Sequence, residues 1–273
     1  MNIFIFGSNG MLGNYVKLYL SQFYNVISFT RKDYDLSNIS INSLSNFLKS
    51  YNINKKDVFI NCAGTIPHSS KQRIIYNRLY FTINSIFPII LSQICEKFDT
   101  KLIHITTDCV FSGKEGNYNE NSIHDETNDY GLSKSLGEIC NATIIRTSII
   151  GEEKINKRSL LEWVISNKNK EINGYDNHYW NGVTCLQLAK IIKEIIHTNN
   201  YWLGVHHIFS PRSLSKYELI SIINEIYCLN IKINKYKTEE KCDKTLKSNY
   251  SNLFNIPDLY DQIKEQKQFK FKK

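Results

Sequence analysis

The first half of the chain alternates short apolar runs with stretches of helical periodicity. Residues 3–6 form an uninterrupted apolar run, and residues 11–20 follow with helical spacing. The segment NVISFTRKD reads as a strand ending near Thr30, residues 42–51 as an amphipathic helix, and DVFINCAG at 57–64 as a buried strand. Over 73–98, Ile83, Phe87, Ile90, Leu91 and Ile94 recur at helical intervals, and the buried-strand run KLIHITTD comes next. Strand and helix thus alternate as βαβαβαβ, which predicts an α/β fold with a parallel sheet covered by helices on both faces.

A second round begins with a helix over 130–139 and a strand over 142–151. Beyond it the alternation weakens. Residues 158–170 read as helical, EINGYDNHYWNG as an irregular loop, 186–197 as a helix, HHIFS as a strand and 215–227 as a helix, with a polar tail after them. No Pro- or Gly-rich linker and no internal repeat interrupts the chain. The expectation is a doubly wound, Rossmann-type domain over 1–150 to which 183–210 returns. Residues 151–182 and 211–273 would form a smaller C-terminal lobe over the sheet edge. Ligands of such sheets bind beyond the carboxyl ends of the strands.

Composition narrows the function class. With 42% hydrophobic residues in 273, the chain can bury a substantial core. The net charge of +8 raises nucleic-acid binding, but the one dense basic run is KEQKQFKFKK at 264–273, with no recognition motif around it. That run reads as a frayed, solvated end, the remaining charge as favouring anionic ligands such as nucleotides, and no nucleic-acid partner is expected. Seven dispersed cysteines without C-x-x-C or zinc-like spacing read as reduced thiols and predict no metal site. No apolar segment reads as the ~20 residues of a membrane span, and the N-terminus opens directly on a strand, so a cytoplasmic protein without a membrane partner is expected.

Candidate chemistry starts at IFIFGSNGMLGNYV. Gly7, Gly10 and Gly13 stand between the first strand and the first helix, where glycines let the backbone approach a pyrophosphate held by free N–H groups and the helix dipole. The same spacing also serves a plain tight junction. At the end of the second strand Arg31 and Lys32 replace the acidic residue of an NAD site and suit a ribose 2′-phosphate, which favours NADPH. Asp35 and Leu36 could reach adenine, and the small residues Cys62, Ala63 and Gly64 let the backbone pass beside a cofactor. Tyr130 and Lys134, four apart on a helix, share a face, and an ammonium there would lower the phenol pKa for proton transfer. The hydroxyl of Thr107 ends the preceding strand.

Taken together, G-x-x-G-x-x-G, TTDCVFSG at 106–113, Y-x-x-x-K and Arg146-Thr147-Ser148 resemble the extended short-chain dehydrogenases/reductases. Within them the chain is most similar to the dTDP-4-dehydrorhamnose reductase group, in specific motifs to about residue 150 and more loosely to about 227. The resemblance implies Thr107, Tyr130 and Lys134 as catalytic residues and a cofactor held by Gly7, Asn9, Gly10, Met11, Leu12, Gly13 and the later positions above. It implies contributions of Asp108, Cys109, Val110 and Asn84 to the substrate side, Asn84 through the proton relay or the helix geometry, a nucleotide-linked 4-keto-6-deoxyhexose as substrate, N-acetylated or not, and a homodimer in common with relatives. The loop 175–182, with His178 and Trp180, offers aromatic and polar groups suited to a nucleobase or sugar, or serves as a structural loop.

Simple 4-reductases of this group commonly carry an aromatic residue where this chain has Cys109, whereas GDP-fucose and UDP-rhamnose synthases carry cysteine. The resemblance therefore extends to C3 or C3/C5 epimerisation before reduction, with Cys109 as acid/base and Lys157, Arg158 or His178 as its partner. From another class comes a non-catalytic reading, the dinucleotide-binding regulatory subunit of methionine adenosyltransferase. The intact Thr107, Tyr130 and Lys134 speak for an enzyme. A 4-epimerase with tightly held NAD is disfavoured by Arg31 and Lys32.

Overall fold

A computed structural model describes residues 1–66, 73–155, 157–250 and 254–269, with the backbone alone at 73–76. The elements run β1 (Asn2–Phe6), α1 (Met11–Leu20), β2 (Asn25–Phe29), α2 (Ile41–Leu48), β3 (Val58–Asn61), α3 (Arg73–Tyr80), α4 (Phe87–Lys97), β4 (Lys101–Thr107), α5 (Asp129–Gly137), β5 (Thr143–Thr147) and β6 (Ile149–Ile150). They continue with α6 (Leu160–Ser166), β7 (Glu171–Tyr175), β8 (His178–Trp180), β9 (Val183–Thr184), α7 (Cys185–Thr198), β10 (Gly204–His207), β11 (Leu214–Ser215), α8 (Lys216–Tyr227), β12 (Lys232–Tyr236), β13 (Cys242–Asp243) and α9 (Leu259–Gln268).

Six strands form one parallel sheet in the order β10-β5-β4-β3-β1-β2. The alternation along β1 explains its two covered faces. Ile3 and Ile5 point into a core built with α1 and α7, while Phe4 and Phe6 point into a second core with α2 and α4. Phe4 stacks on Phe59 at 4.8 Å and Phe6 meets Phe87 edge-on at 5.1 Å. Because β1 lies between β2 and β3, the winding reverses between β1 and β3, which is where such sheets open a crevice.

The long helix expected over 73–98 is interrupted. Phe81–Ile86 winds as a π-helix, with the Phe87 N–H donating to Thr82 O. Pro88 supplies no N–H to the preceding turn, so the register loosens there. Contrary to the sequence reading, the helical run Asn77–Lys97 is long and apolar enough to span a bilayer, with 21 residues and mean hydropathy 1.2. Half of that apolar window is buried in the fold, where Phe87, Leu91 and Ile94 pack on the sheet.

Two further expectations change. The segment read as an irregular loop is β7 and β8, with β7 parallel to β12 and β8 between β11 and β13. The basic run read as a frayed, solvated end is helical on α9 as far as residue 268, exposed at 264, 265, 267 and 268 but buried at Gln266, and 270–273 lie outside the described residues. There Leu259 and Ile263 enter the core of the lobe with α6 and α8, and Phe269 stacks on Tyr15 at 6.1 Å. The side chains of Gln262 and Gln266 are also buried: their Oε1 atoms accept from the N–H groups of Thr184 (3.0 Å) and Leu186 (3.1 Å). A helix start leaves such N–H groups without intrahelical partners, so α9 completes α7.

Gln262 also donates to Ser210 Oγ and to Pro257 O. Gln262→Ala is therefore expected to lower unfolding stability by about 1–3 kcal/mol, the cost of a buried group left unsatisfied. Urea unfolding followed by circular dichroism checks this, and an unchanged midpoint would show that the contact contributes nothing.

Candidate active site

The glycine turn fits the crevice through one close approach. Gly7 has a left-handed backbone (φ +77°), and a Cβ there would lie 2.5 Å from Ala63 N, at the end of β3. Gly13 packs against the same turn, where a Cβ would meet Gly7 O. Gly10 is the N-cap of α1 without a side-chain hydrogen bond, and the first turn of α1 carries no acidic residue. An electropositive helix start thus faces the crevice. Opposite, Asn61 Oδ1 accepts from Ala63 N (2.9 Å) and fixes the chain where β3 ends.

Two adjoining cavities open here. One, of about 380 Å³, is lined by Gly7, Gly10, Arg31, Asp35, Leu36 and Ala63 among others. The second, of about 490 Å³, is lined by Asn9, Met11, Leu12, Thr107, Asp108, Cys109, Tyr130 and Lys134. Gly10, Cys62, Ala63, Gly64 and Thr65 line both, so the two share a floor. Those residue types suit a dinucleotide, with free N–H groups for its pyrophosphate and a cation at one end. Arg31 is also engaged locally, 3.5 Å from Asp35, whose carboxylate accepts from Ser37 N.

At the second cavity α5 is wedged close to the end of β4. A Cβ at Gly131 would meet the Cys109 carbonyl oxygen at 2.6 Å, so Tyr130 stands beside Cys109 only because its neighbour has no side chain. Asn128 caps α5 by accepting from Gly131 N (2.8 Å). The Thr107 hydroxyl donates to Asp108 Oδ1 (3.1 Å) and accepts from Cys109 N (3.1 Å), and it hydrogen-bonds the Tyr130 phenol.

The electrostatics differ from expectation at Tyr130. Burial, with Cys109 next, raises its pKa above the ordinary phenol value, and the Thr107 hydrogen bond opposes this without reversing it. The phenol stays protonated at neutral pH, the state required of a proton donor. Burial lowers Lys134 to about 8, with Glu138 opposing. Cys109 is pushed up to about 12 by burial and by Asp108, to which its thiol donates. Asp108 is itself raised by burial, though Lys244 and Lys216 hold it down.

Several expected residues lie elsewhere. Gly13 and Lys32 do not line either cavity: Gly13 supports the turn, and Lys32 is exposed. Val110 is buried with Phe111 and Tyr118 in a small separate core. Asn84 is fully buried in the π-helical stretch, its amide bonding Thr65 and Ser133, so it ties the crevice floor to α5 rather than facing a cavity. His178 lines a different cavity, of about 500 Å³ in the lobe, with Trp163, Tyr175 and Lys216. Trp180 lies beneath Lys216, whose Nζ stands 5.1 Å from the ring. Of the partners considered for Cys109, Arg158 lines the second cavity, while Lys157 and His178 do not. Sequence reasoning missed Ser148, Glu153 and Lys154, which line it too, and Lys216 and Lys244, brought beside Asp108 from distant segments. Ser148 ends the Arg146-Thr147-Ser148 motif, the one signal that could have found it.

Comparison with known proteins gives a family and a fold. The sequence model of the RmlD substrate binding domain matches residues 1–269. The spore coat polysaccharide biosynthesis protein SpsK of Bacillus subtilis is 27% identical over 259 residues, covering 91% of this chain and 87% of that protein. Among solved structures, a dTDP-4-dehydrorhamnose reductase from Clostridium acetobutylicum superposes with a TM-score of 0.80 at 23% identity, covering 98% of this chain and 99% of that one. A dTDP-4-dehydrorhamnose reductase from Bacillus anthracis, solved in complex with NADP, gives 0.81 at 23% identity with the same coverage. The two structures share the fold of this chain.

Gly7→Ala is expected to destabilise the protein by about 1–2 kcal/mol for the left-handed backbone and about 1–3 kcal/mol for overpacking against Ala63. Dinucleotide affinity, followed by fluorescence titration, should fall with it. Wild-type stability in this variant would contradict the tight β1–β3 approach.

Proposed function

The chain belongs to the RmlD substrate binding domain family, and from that premise we propose that it is an NADPH-dependent reductase of the C4 ketone of a nucleotide-linked 4-keto-6-deoxyhexose, a UDP- or dTDP-sugar. The product is a rhamnose-type deoxysugar donor. One observation carries the reading: Thr107, Tyr130 and Lys134 line a single cavity whose floor continues to the glycine turn. A purely regulatory dinucleotide-binding subunit has no need of that convergence.

NADPH, when bound, supplies the hydride. The turn from Gly7 to Leu12 with the start of α1 would hold its pyrophosphate, Arg31 the 2′-phosphate, and Asp35 and Leu36 the adenine side. Cys62, Ala63 and Gly64 would pass beside it, with Tyr130 and Lys134 at the nicotinamide ribose. Tyr130 donates its proton to the C4 oxygen, and burial supports this by keeping the phenol protonated until the oxygen gains charge. Thr107 hydrogen-bonds the same oxygen and orients the carbonyl. The Lys134 ammonium, charged in most molecules at pH 7, stabilises the phenolate left behind. The nucleotide would extend towards the lobe cavity of Trp163, Tyr175, His178 and Lys216.

Epimerisation before reduction is the second reading, favoured by Cys109 lining the same cavity as Tyr130. A base at this position would first have to lose a proton that burial and Asp108 retain, so the thiol is better suited to donating a proton than to removing one.

Tyr130→Phe should lower turnover by about 10²–10⁴-fold, the usual worth of a positioned proton donor, while NADPH affinity is retained. Unchanged turnover would remove Tyr130 from the mechanism. Incubation with NADPH and UDP- or dTDP-4-keto-6-deoxyhexoses in deuterated water separates the two readings. Oxidation without deuterium at C3 or C5 marks a simple reductase, whereas deuterium there that Cys109→Ser suppresses marks an epimerase. No oxidation with any donor would bring the regulatory reading forward.

A further inference from the structure

One turn beyond Lys134 on α5, Glu138 enters a buried polar network that the reaction as described does not use. Arg146, on β5, is 2% exposed and pairs with the Glu138 carboxylate, which is 5% exposed. Arg146 Nε donates to Glu138 Oε1 (3.0 Å), and one terminal nitrogen bonds Oε2. The terminal nitrogens also reach His207 Nε2 at 2.8 Å and His124 Nε2 at 2.7 Å. The guanidinium also lies over the Phe111 ring, 5.2 Å from its centre.

This arrangement fixes both imidazoles as neutral. A guanidinium can only donate, so each Nε2 must be an acceptor. The other ring nitrogens then carry the protons: His207 Nδ1 donates to Lys247 O (2.8 Å), and His124 Nδ1 to Ser135 Oγ on α5. Burial, with Arg146 as a further cause, holds His207 down at about 4, and burial lowers His124 as well. Arg146 is therefore held by a carboxylate and two rings, from the end of α5, β10 and the segment before α5.

Glu138 follows Lys134 by four residues at the C-cap of α5, a spacing that puts two side chains on one helix face. Asp108, Glu153, Lys154 and Arg158 are the other charged residues that line the cavity with Lys134, while the groups that act on the ammonium's charge are Glu138, Cys109 and Cys62. Of these, Glu138 is the carboxylate. Lys134 is 6% exposed, and its Nζ lies so near the crevice floor that a Cβ at Gly64 would stand 2.9 Å away. Burial disfavours an ammonium there, and a fixed anion one turn along opposes that effect.

We propose that Glu138, clamped by Arg146 between two neutral imidazoles, is a positioning residue that acts through Lys134, holding its ammonium charged on the catalytic face of α5. The inference rests on the reading of Lys134 as part of the reductase site. The direction of its pH dependence follows. The ammonium is the working form, so activity is present below the Lys134 value, near 8, and is lost as pH rises through it. Without the Glu138 charge that loss moves to lower pH.

The test is the titration of Lys134 in protein carrying ¹³C at lysine Cε, assigned by comparison with Lys134→Arg, alongside the pH profile of kcat/KM. Glu138→Gln should move both midpoints down by roughly one pH unit. Glu138→Gln combined with Arg146→Gln, which leaves no unpaired buried charge, should move them the same way, and Glu138→Asp should move them less. An unmoved Lys134 midpoint in a folded Glu138→Gln protein overturns the inference, as does failure of all three variants to fold, which would assign Glu138 to the fold alone. The resonance needs neither substrate nor cofactor. Absence of wild-type turnover therefore counts against the functional reading, and an unmoved resonance against this one.

Discussion

Where β1 and β3 end, the two backbones pass so closely that not one Cβ fits between Gly7 and Ala63. The rest of the site is measured from that contact. It turns the chain sharply into α1, aims the helix start at the crevice, and sets the strip Cys62-Ala63-Gly64 as a floor common to both cavities. A larger residue at position 7 would separate β1 from β3, and the separation would carry through to Lys134, which lies against Gly64. The reversal of winding between β1 and β3 gives the crevice, and the missing side chain gives it depth.

Around this floor the protein manages charge by burial rather than by exposure. Tyr130 is kept protonated, Cys109 is kept as a thiol, and Lys134 is left near the edge of its charged range. Each of these states comes from a low-dielectric setting, and a carboxylate or hydroxyl beside the group moderates it. The balance is local, and it is reached by side chains from separate strands and helices held on one rigid sheet.

Much of this was legible in the sequence because it depends on neighbours in the chain. The glycine turn, the T-T-D-C run and Tyr130 with Lys134 are short-range patterns, and each stands where its strand or helix directs it. Helical periodicity also identified α1, α7 and α8. What stayed hidden depends on partners far along the chain. The segment 171–182 has no strand signature of its own and becomes β7 and β8 by pairing with β11, β12 and β13. The C-terminal basic run is solvated at 264, 265, 267 and 268 as its charge suggests, yet it is helical rather than frayed there, and Gln266 faces inward. Val110 was read by association with its motif neighbours, although one step along a chain can turn a side chain from cavity to core. Glu138, Lys216 and Lys244 carried no motif at all.

The glutamines of α9 bear on how the molecule can be assembled. The N–H of Thr184 waits for a partner 78 residues further along, and that of Leu186 for one 80 residues further. Helix α7 packs on α1 beneath the first strands, so this layer of the sheet is finished by a helix made about 80 residues after α7. Folding during synthesis can lay down the sheet strand by strand, but α7 keeps open bonds until α9 arrives. The sheet is therefore not a separable cassette: without α9 the first N–H groups of α7 would lose their acceptors.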